Sequence, residues 1–296
     1  MLTLQAGDSS LVLAPEIGGA IVGWSLGAIP LLRRASGDAI VPGDVHGMGC
    51  FPLVPFSNRI AWGRFRWQGG DYTIERNFGD HPHAIHGIGW QSRWTVAAAS
   101  RNSATLVLAH GAEAEAARRW PFAFEAEQSF TLLPDRLRVS LAITNRHASS
   151  APCGLGLHPY FPRPAGSTLQ FAATQVWIND ADMLPSQCGP ISAEWDHTHG
   201  LQIGRARLDN CFAGWNGQAL ITAADGRPGL RIEADDVFGH LIVFTPDSGD
   251  YFCAEPVSHM TDAINRFDQQ PGHGLRSLAP GETLRGEVTF RLTASG

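Results

Sequence analysis

The sequence predicts an all-β fold, and three observations carry that prediction. Apolar and polar residues alternate with period two in several short runs, 33 Gly and 19 Pro interrupt the chain, and a single short stretch has helical character. A side chain on a strand points to the face opposite its neighbour's, so alternation means one face packed and one wet.

Taken in chain order, residues 10–14 form the first short apolar run, bounded by the turn-prone Gly7-Asp8-Ser9 and by Pro15. Residues 94–98 and 105–109 are two further runs, separated by the polar Ser100-Arg101-Asn102-Ser103. Residues 112–119, rich in Ala and Glu, are the helical stretch, and Pro121 stops it. It reads as an ornament on a loop. The clearest strand is 135–145, where Leu137, Val139, Leu141 and Ile143 alternate with Arg138, Ser140, Ala142 and Thr144. Shorter strands are expected at 168–172, 230–234 and 240–245. Residues 269–281, rich in Gly and Pro, read as a long surface loop that could rim or cover a site. The last strand repeats the alternation, with Leu284, Val288, Phe290 and Leu292 against Arg285, Glu287, Thr289 and Arg291.

A chain of 296 residues is long for an average domain, but large β-sandwiches and barrels exceed about 200 residues as one unit. No fixed-period repeat, low-complexity tract or Pro/Ser-rich linker marks a boundary, so residues 1–296 are expected to form one domain.

Composition removes several classes of function. The apolar fraction is 44% and the charged fraction 17%, enough to bury a core and too apolar for disorder. With a net charge of −6 and no basic block, neither a nucleic-acid nor a membrane partner is expected. All 22 basic residues are arginine. Schiff-base chemistry, pyridoxal phosphate attachment and a Walker P-loop each need a lysine amine, so all three are excluded. The five cysteines, Cys50, Cys153, Cys188, Cys211 and Cys253, are scattered without CxxC spacing and read as reduced thiols, not as a disulfide frame or zinc site. The N-terminus lacks a basic n-region and carries Asp8, and no apolar run approaches the roughly 20 residues that span a bilayer. A cytoplasmic protein is the expectation.

Five short segments place chemically useful side chains beside aromatics and turn residues. They are Pro55-Phe56-Ser57-Asn58-Arg59-Ile60, His81-Pro82-His83-Ala84-Ile85-His86-Gly87, Gly156-Leu157-His158-Pro159-Tyr160-Phe161, Leu208-Asp209-Asn210-Cys211-Phe212 and Ala254-Glu255-Pro256-Val257. The three histidines of the second segment invite a metal reading, but Pro82 forbids a regular helix, and on a strand His86 would point away from His81 and His83. Turn capping accounts for His81 and His83; for His86 the local sequence leaves structural and functional roles open. His158 precedes Pro159, which restricts it to extended geometry. With an ordinary pKa near 6.5 it suits proton transfer at neutrality, though a core histidine bonded to a carbonyl fits the same position. Glu255 sits among apolar neighbours, and carboxylates are seldom buried unpaired, so it is either ion-paired, with Arg59 as the candidate, or functional. Asp209, in Leu-Asp-Asn, reads locally as a turn residue.

In this order the five segments resemble the aldose 1-epimerase (galactose mutarotase) family. The matching elements are Asn58-Arg59 followed by Gly63 and Phe65, His86-Gly87, His158-Pro159-Tyr160-Phe161, Asp209 to Phe212, and Glu255-Pro256. The resemblance implies a large antiparallel β-sandwich, the supersandwich, with an open groove for a monosaccharide, and an isomerase that interconverts the α and β anomers of a free aldose. It implies His158 as general acid, Glu255 as general base, Arg59 and His86 as hydrogen-bonding groups near the reacting centre, Asp209 as a ligand for ring hydroxyls and Asn58 as an orienting neighbour. It implies no metal and no organic cofactor. The family often carries a glutamine shortly before the catalytic glutamate; Thr245-Pro246-Asp247-Ser248-Gly249-Asp250-Tyr251 has none. Three alternatives stand beside it: a hexose-6-phosphate epimerase using Arg59, Arg64 and Arg66, a glycoside hydrolase using Asp209 and Glu255, and a non-catalytic sugar sensor. Monomer and homodimer both stay open.

Overall fold

The chain is described from a computed structural model over residues 1–35, 45, 47–247 and 249–294. Phe124–Leu133 shows how the period-two pattern becomes structure: each second residue from Phe124 to Leu132 is buried and those between are not. Its partner Arg136–Asn145 pairs with it antiparallel from Phe124↔Asn145 to Leu133↔Arg136, across the tight turn at Pro134-Asp135.

These two strands lie inside a nine-stranded sheet. Its order is Thr95–Ala99, Ser103–His110, Phe124–Leu133, Arg136–Asn145, Thr283–Thr293, Gly229–Ala234, Gln218–Thr222, Thr168–Phe171 and Leu201–Gln202. A second, eight-stranded sheet runs Pro185–Gly189, Gln175–Asn179, Leu208–Ala213, His240–Thr245, Tyr251–Val257, Gly156–Leu157 and Pro52–Leu53, with Tyr160–Pro162 also paired to Tyr251–Val257. A four-stranded sheet at the N-terminus holds Leu2–Ala6, Ser9–Ala14, Ala20–Leu26 and Ile29–Pro30. The ladders within these three sheets are antiparallel.

Aromatic rings tie the sheets into a sandwich. Phe290 of the nine-stranded sheet stands 6.5 Å from Trp24 of the N-terminal sheet and 6.2 Å from Phe161, which is 5.5 Å from Phe252 of the eight-stranded sheet. All four rings are 1% exposed or less. Burying each contributes about 1.5–3 kcal/mol, and the face they share is the interior on which the second sheet rests.

The expected strands at 10–14, 94–98, 105–109, 135–145, 168–172, 230–234, 240–245 and 284–292 all occur, shifted by at most two residues at an end. The helix forms as Ala114–Arg119, with no buried residue, the ornament its composition suggested. Two expectations are corrected. Residues 269–281 are not loop throughout, because Arg276–Leu278 pairs with Ala151–Cys153. Asp209 is not a turn residue: Leu208–Ala213 is a central strand between Gln175–Asn179 and His240–Thr245. No helix among the described residues is long and apolar enough to cross a membrane.

The position of the site follows from one strand of the second sheet. In Tyr251–Val257 all residues but the first are buried, so both faces are covered. Phe252 turns inward against Phe161, and Cys253 and Glu255 therefore share the opposite face. Register carries that face across the sheet: Glu255 pairs with Ile242 and Ile242 with Cys211, while Cys253 pairs with Phe244 and Phe244 with Asp209. Directly paired residues point the same way, so Glu255, Cys253, Phe244 and Asp209 line one surface.

Candidate active site

Five sequence segments meet on that surface. His158 is fixed first through its backbone: His158 N–H donates to the Phe51 carbonyl at 3.0 Å and Tyr160 N–H to that of Gly49 at 2.8 Å. Its imidazole lies parallel to the Tyr160 ring, with centroids 4.6 Å apart and planes at 13°, and Phe51 stands 4.6 Å away. The Arg33 guanidinium sits 3.8 Å over the Tyr160 ring. This stack fixes the imidazole plane and leaves Nε2 pointing at Glu255, 3.5 Å from Oε1. That separation exceeds a direct hydrogen bond and lets one small polar group meet both atoms.

Glu255 is 2% exposed, and Oε2 has no hydrogen-bond partner among the described residues. Burial raises the carboxyl pKa well above its ordinary value, the Asp209 carboxylate raises it further, and the Arg59 guanidinium opposes both. A carboxyl so placed holds its proton more tightly than one in water and, once ionised, is the stronger base.

The second half of the site is a rigid turn. Asn58 takes a left-handed conformation, φ 55°, and its Oδ1 accepts both the Arg59 N–H at 2.9 Å and Arg59 Nη1–H at 3.0 Å. Arg59 Nη2 donates to Asp209 Oδ2 at 3.0 Å. The sequence-level alternative of an Arg59–Glu255 bridge is therefore corrected: the guanidinium takes the carboxylate 150 residues away, on a strand two places from that of Glu255. His86 locks the same turn from the other side. Its Nδ1 accepts the Asn58 N–H at 3.1 Å and its own N–H donates to the Asn58 carbonyl at 2.8 Å. With Nδ1 an acceptor, neutral His86 carries its proton on Nε2. Its ring meets His158 edge-on at 5.1 Å. Gly87 has φ 70°, and a Cβ there would fall 2.1 Å from the Val54 carbonyl oxygen, which explains the glycine after His86.

The chain just beyond Glu255 braces this turn. Ser57 N–H donates to His259 Nε2 at 3.0 Å, Asp262 N–H to the Arg59 carbonyl at 2.9 Å, and Ala61 N–H to Asp262 Oδ1 at 3.0 Å. One continuous segment thus carries the carboxylate and holds the arginine in place.

The structure brings together all six residues singled out from the sequence: His158, Glu255, Asn58, Arg59, His86 and Asp209. Arg64 and Arg66 lie elsewhere, exposed on Arg64–Trp67, with Arg66 beside Asp71 at 3.9 Å. His83 is structural, its Nδ1 accepting the Trp62 N–H at 3.0 Å and Nε2 meeting the Asp182 carbonyl at 2.9 Å. His81 accepts the His83 N–H at 3.2 Å, as a turn residue does, and also stands within electrostatic reach of Arg59 and Asp209. Sequence reasoning missed Phe244, half-buried between Asp209 and Cys253, and Cys253 itself. The signal for Cys253 was its position two residues before Glu255, whereas Phe244, paired with Asp209 on one side and Cys253 on the other, is legible only once register is known. No CxxC spacing foretold it, yet His158, Cys253 and Glu255 bring three potential metal-ligand atoms within 4.8 Å of one another. Of the stretch that lacks the family's glutamine, Ser248 lies outside the described residues.

Comparison with known proteins bears on the family and the fold. The family described as aldose 1-epimerase matches residues 1–291. The uncharacterized protein YphB of Escherichia coli K12 is 33% identical over 302 aligned positions, covering 98% of each chain. A crystal structure from the same organism is 31% identical, with a TM-score of 0.88 over 99% of this chain and 98% of that one. A galactose mutarotase-like protein from Clostridium acetobutylicum superposes with a TM-score of 0.86 at 20% identity, over 99% of this chain and 94% of its own, and so speaks for the fold alone. Match over nearly the whole length, identity above 30% and the assembled residues converge: the chain belongs to the aldose 1-epimerase family.

Proposed function

We propose that the chain is an aldose 1-epimerase, an isomerase that interconverts the α and β anomers of a free monosaccharide. The observation that carries this reading is the pairing of His158 Nε2 with Glu255 Oε1 at 3.5 Å, both nearly buried, on the surface that also holds Arg59 and Asp209.

Anomerisation breaks the bond between C1 and the ring oxygen, turns the aldehyde about the C1–C2 bond, and recloses the ring from its other face. Glu255 takes the proton of the C1 hydroxyl while His158, protonated on Nε2, gives a proton to the ring oxygen; on reclosure the two exchange roles. The two sugar oxygens share one carbon and lie closer together than the two catalytic atoms, so each group reaches one oxygen. Arg59, held by Asn58 and Asp209, and His86 through Nε2–H donate to sugar oxygens, and Asp209 accepts from a ring hydroxyl. Phe244 supplies an apolar surface beside them. The Arg59–Asp209 pair neutralises itself, and Arg64 and Arg66 point elsewhere, which favours an uncharged sugar over a phosphorylated one.

The test is polarimetry on freshly dissolved pure anomers, with glucose 6-phosphate as comparison. Glu255→Gln and His158→Asn are each expected to lower the rate by about 10²–10⁴-fold, or roughly 3–5 kcal/mol of barrier. Rates within tenfold of wild type in a folded variant would remove the assignment. Sugar binding without acceleration would make the protein a sensor.

A further inference from the structure

Cys253 has no part in the proton relay, yet its thiol shares the face of Glu255 and lies with Glu255 and His158 in a cluster whose ligand atoms all fall within 4.8 Å. We propose that His158, Cys253 and Glu255 form a binding site for a thiophilic divalent cation of the Zn²⁺ kind, and that the bound cation closes the site to sugar. The binding half stands on the cluster alone; the inhibitory half rests on the function proposed above.

The ligand chemistry is of the right type. Imidazole nitrogen, thiolate sulfur and carboxylate oxygen are the three donors that Zn²⁺ takes, and three protein ligands with an open fourth position make a tetrahedral site. Hard cations such as Mg²⁺ and Ca²⁺ prefer all-oxygen sets and gain little from a thiol.

The spacing is close to what the ion needs. With metal–nitrogen and metal–oxygen bonds near 2.1 Å, a tetrahedral edge between them is about 3.4 Å, and His158 Nε2 to Glu255 Oε1 measures 3.5 Å. An edge to sulfur is about 3.6 Å, so Sγ must move inward from at most 4.8 Å, a side-chain adjustment of about 1 Å. The stack of His158 on Tyr160 and Phe51 already presents Nε2 to the shared centre. The three residues are 8%, 0% and 2% exposed, so ligation takes place in a desolvated pocket where an ion is held by its ligands and not by bulk water. Binding releases to solvent one proton from the Cys253 thiol and one from His158 Nε2, since the thiolate and the unprotonated imidazole nitrogen are the ligands. No oxidation or reduction is involved.

The consequence for function is direct. The cation takes Nε2 of the acid and Oε1 of the base, the two atoms that must exchange protons with sugar. Inhibition should be reversible, competitive with sugar and relieved by chelators.

The test uses Co²⁺ as a spectroscopic stand-in, added to protein freed of metal by a chelator. The expected result is a thiolate-to-cobalt charge-transfer band in the near ultraviolet, with visible bands of tetrahedral intensity that Zn²⁺ bleaches. Cys253→Ser and Cys253→Ala should each abolish the charge-transfer band and weaken Zn²⁺ binding at least tenfold by calorimetry, while Cys188→Ser, which alters a half-exposed thiol elsewhere, should leave both intact. Mutarotation of wild type, normalised to its metal-free rate, should fall on Zn²⁺ addition and recover with chelator; the Cys253 variants, each normalised to its own rate, should need at least tenfold more Zn²⁺. Absence of the band in wild type, or its survival in the Cys253 variants, overturns the site. Tight binding with an unchanged rate overturns the inhibitory half. A protein that binds Co²⁺ as described but catalyses no mutarotation leaves the site standing and defeats the proposed function instead.

Discussion

His259 offers the sharpest test of how the Arg59 turn is held. Both of its ring nitrogens are committed in the neutral form: Nε2 accepts the Ser57 N–H at 3.0 Å and Nδ1–H donates to the Met260 carbonyl at 2.7 Å. Protonation places an N–H against an N–H and breaks the bond to Ser57. Burial accordingly lowers the His259 pKa from 6.5 to about 4. The sign follows from proton uptake. The unfolded chain binds a proton near pH 6.5 and the folded chain only near pH 4, so the stability is fully present above about 6.5 and is lost as pH falls toward 4. The complete loss is about 3 kcal/mol for a shift of this size, and about 2 kcal/mol of it is gone by pH 5. His259→Gln keeps an acceptor and a donor but cannot titrate. It should be less stable than wild type at pH 8 by about 1–3 kcal/mol, while its own decline between pH 8 and pH 5 should be about 2 kcal/mol smaller. Urea unfolding at the two pH values measures both. Parallel declines in the two proteins, equal within about 0.5 kcal/mol, would refute the account of a neutral histidine bracing the turn.

Three further outcomes follow from the same geometry. Gly154→Ala puts a Cβ 2.2 Å from His259 Cδ2 and 2.4 Å from Nε2, so it should cost at least about 1–3 kcal/mol in chemical denaturation. Asp209→Asn removes the charged partner of Arg59 and the charged group that adds to burial in raising the Glu255 pKa; KM should rise, and the acid limb of the kcat/KM profile should move to lower pH, whereas an unmoved limb would deny the coupling. Glu255→Gln should raise the melting midpoint at pH 8, because the raised pKa means that ionised Glu255 costs stability there. That gain should shrink toward pH 4, below which the wild-type carboxyl is protonated in both states, and a constant difference across the range would sink the argument.

What the sequence disclosed, and what it hid, divides along physical lines. Arg136–Asn145 was legible because one of its faces is packed and the other partly wet, and its burial alternates as its residues do over the first half of the strand. His158 was legible because Pro159 stiffens the residue before it. Leu208–Ala213 and Tyr251–Val257 were not, since the second is covered on both faces, the first is buried but for Asp209 and Ala213, and their sequences keep no period of two. Asp209 therefore read as a turn. The partner of Arg59 was hidden for another reason: the choice between Asp209 and Glu255 is made by strand register, which no local pattern encodes.

The strands that are hardest to read are the ones that carry the chemistry, and this is not an accident of pattern. A carboxylate with a raised pKa requires a desolvated position, which Tyr251–Val257, buried from Phe252 on, supplies to Glu255, and such a strand cannot show the alternation that would reveal it. Holding an arginine at fixed geometry beside that carboxylate then needs a brace that does not depend on loop entropy. The continuation of the same strand provides it through Ser258, whose Oγ accepts the Leu155 N–H at 2.9 Å, and through His259 and Asp262 on the Asn58–Arg59 turn. Base and binding group are thus coupled through one short piece of chain. Substitutions at His259 or Asp262 should consequently fail to add with substitutions at Arg59, since once the turn is loose the guanidinium has little left to lose, whereas substitutions on the distant Phe124–Leu133 strand should add with both.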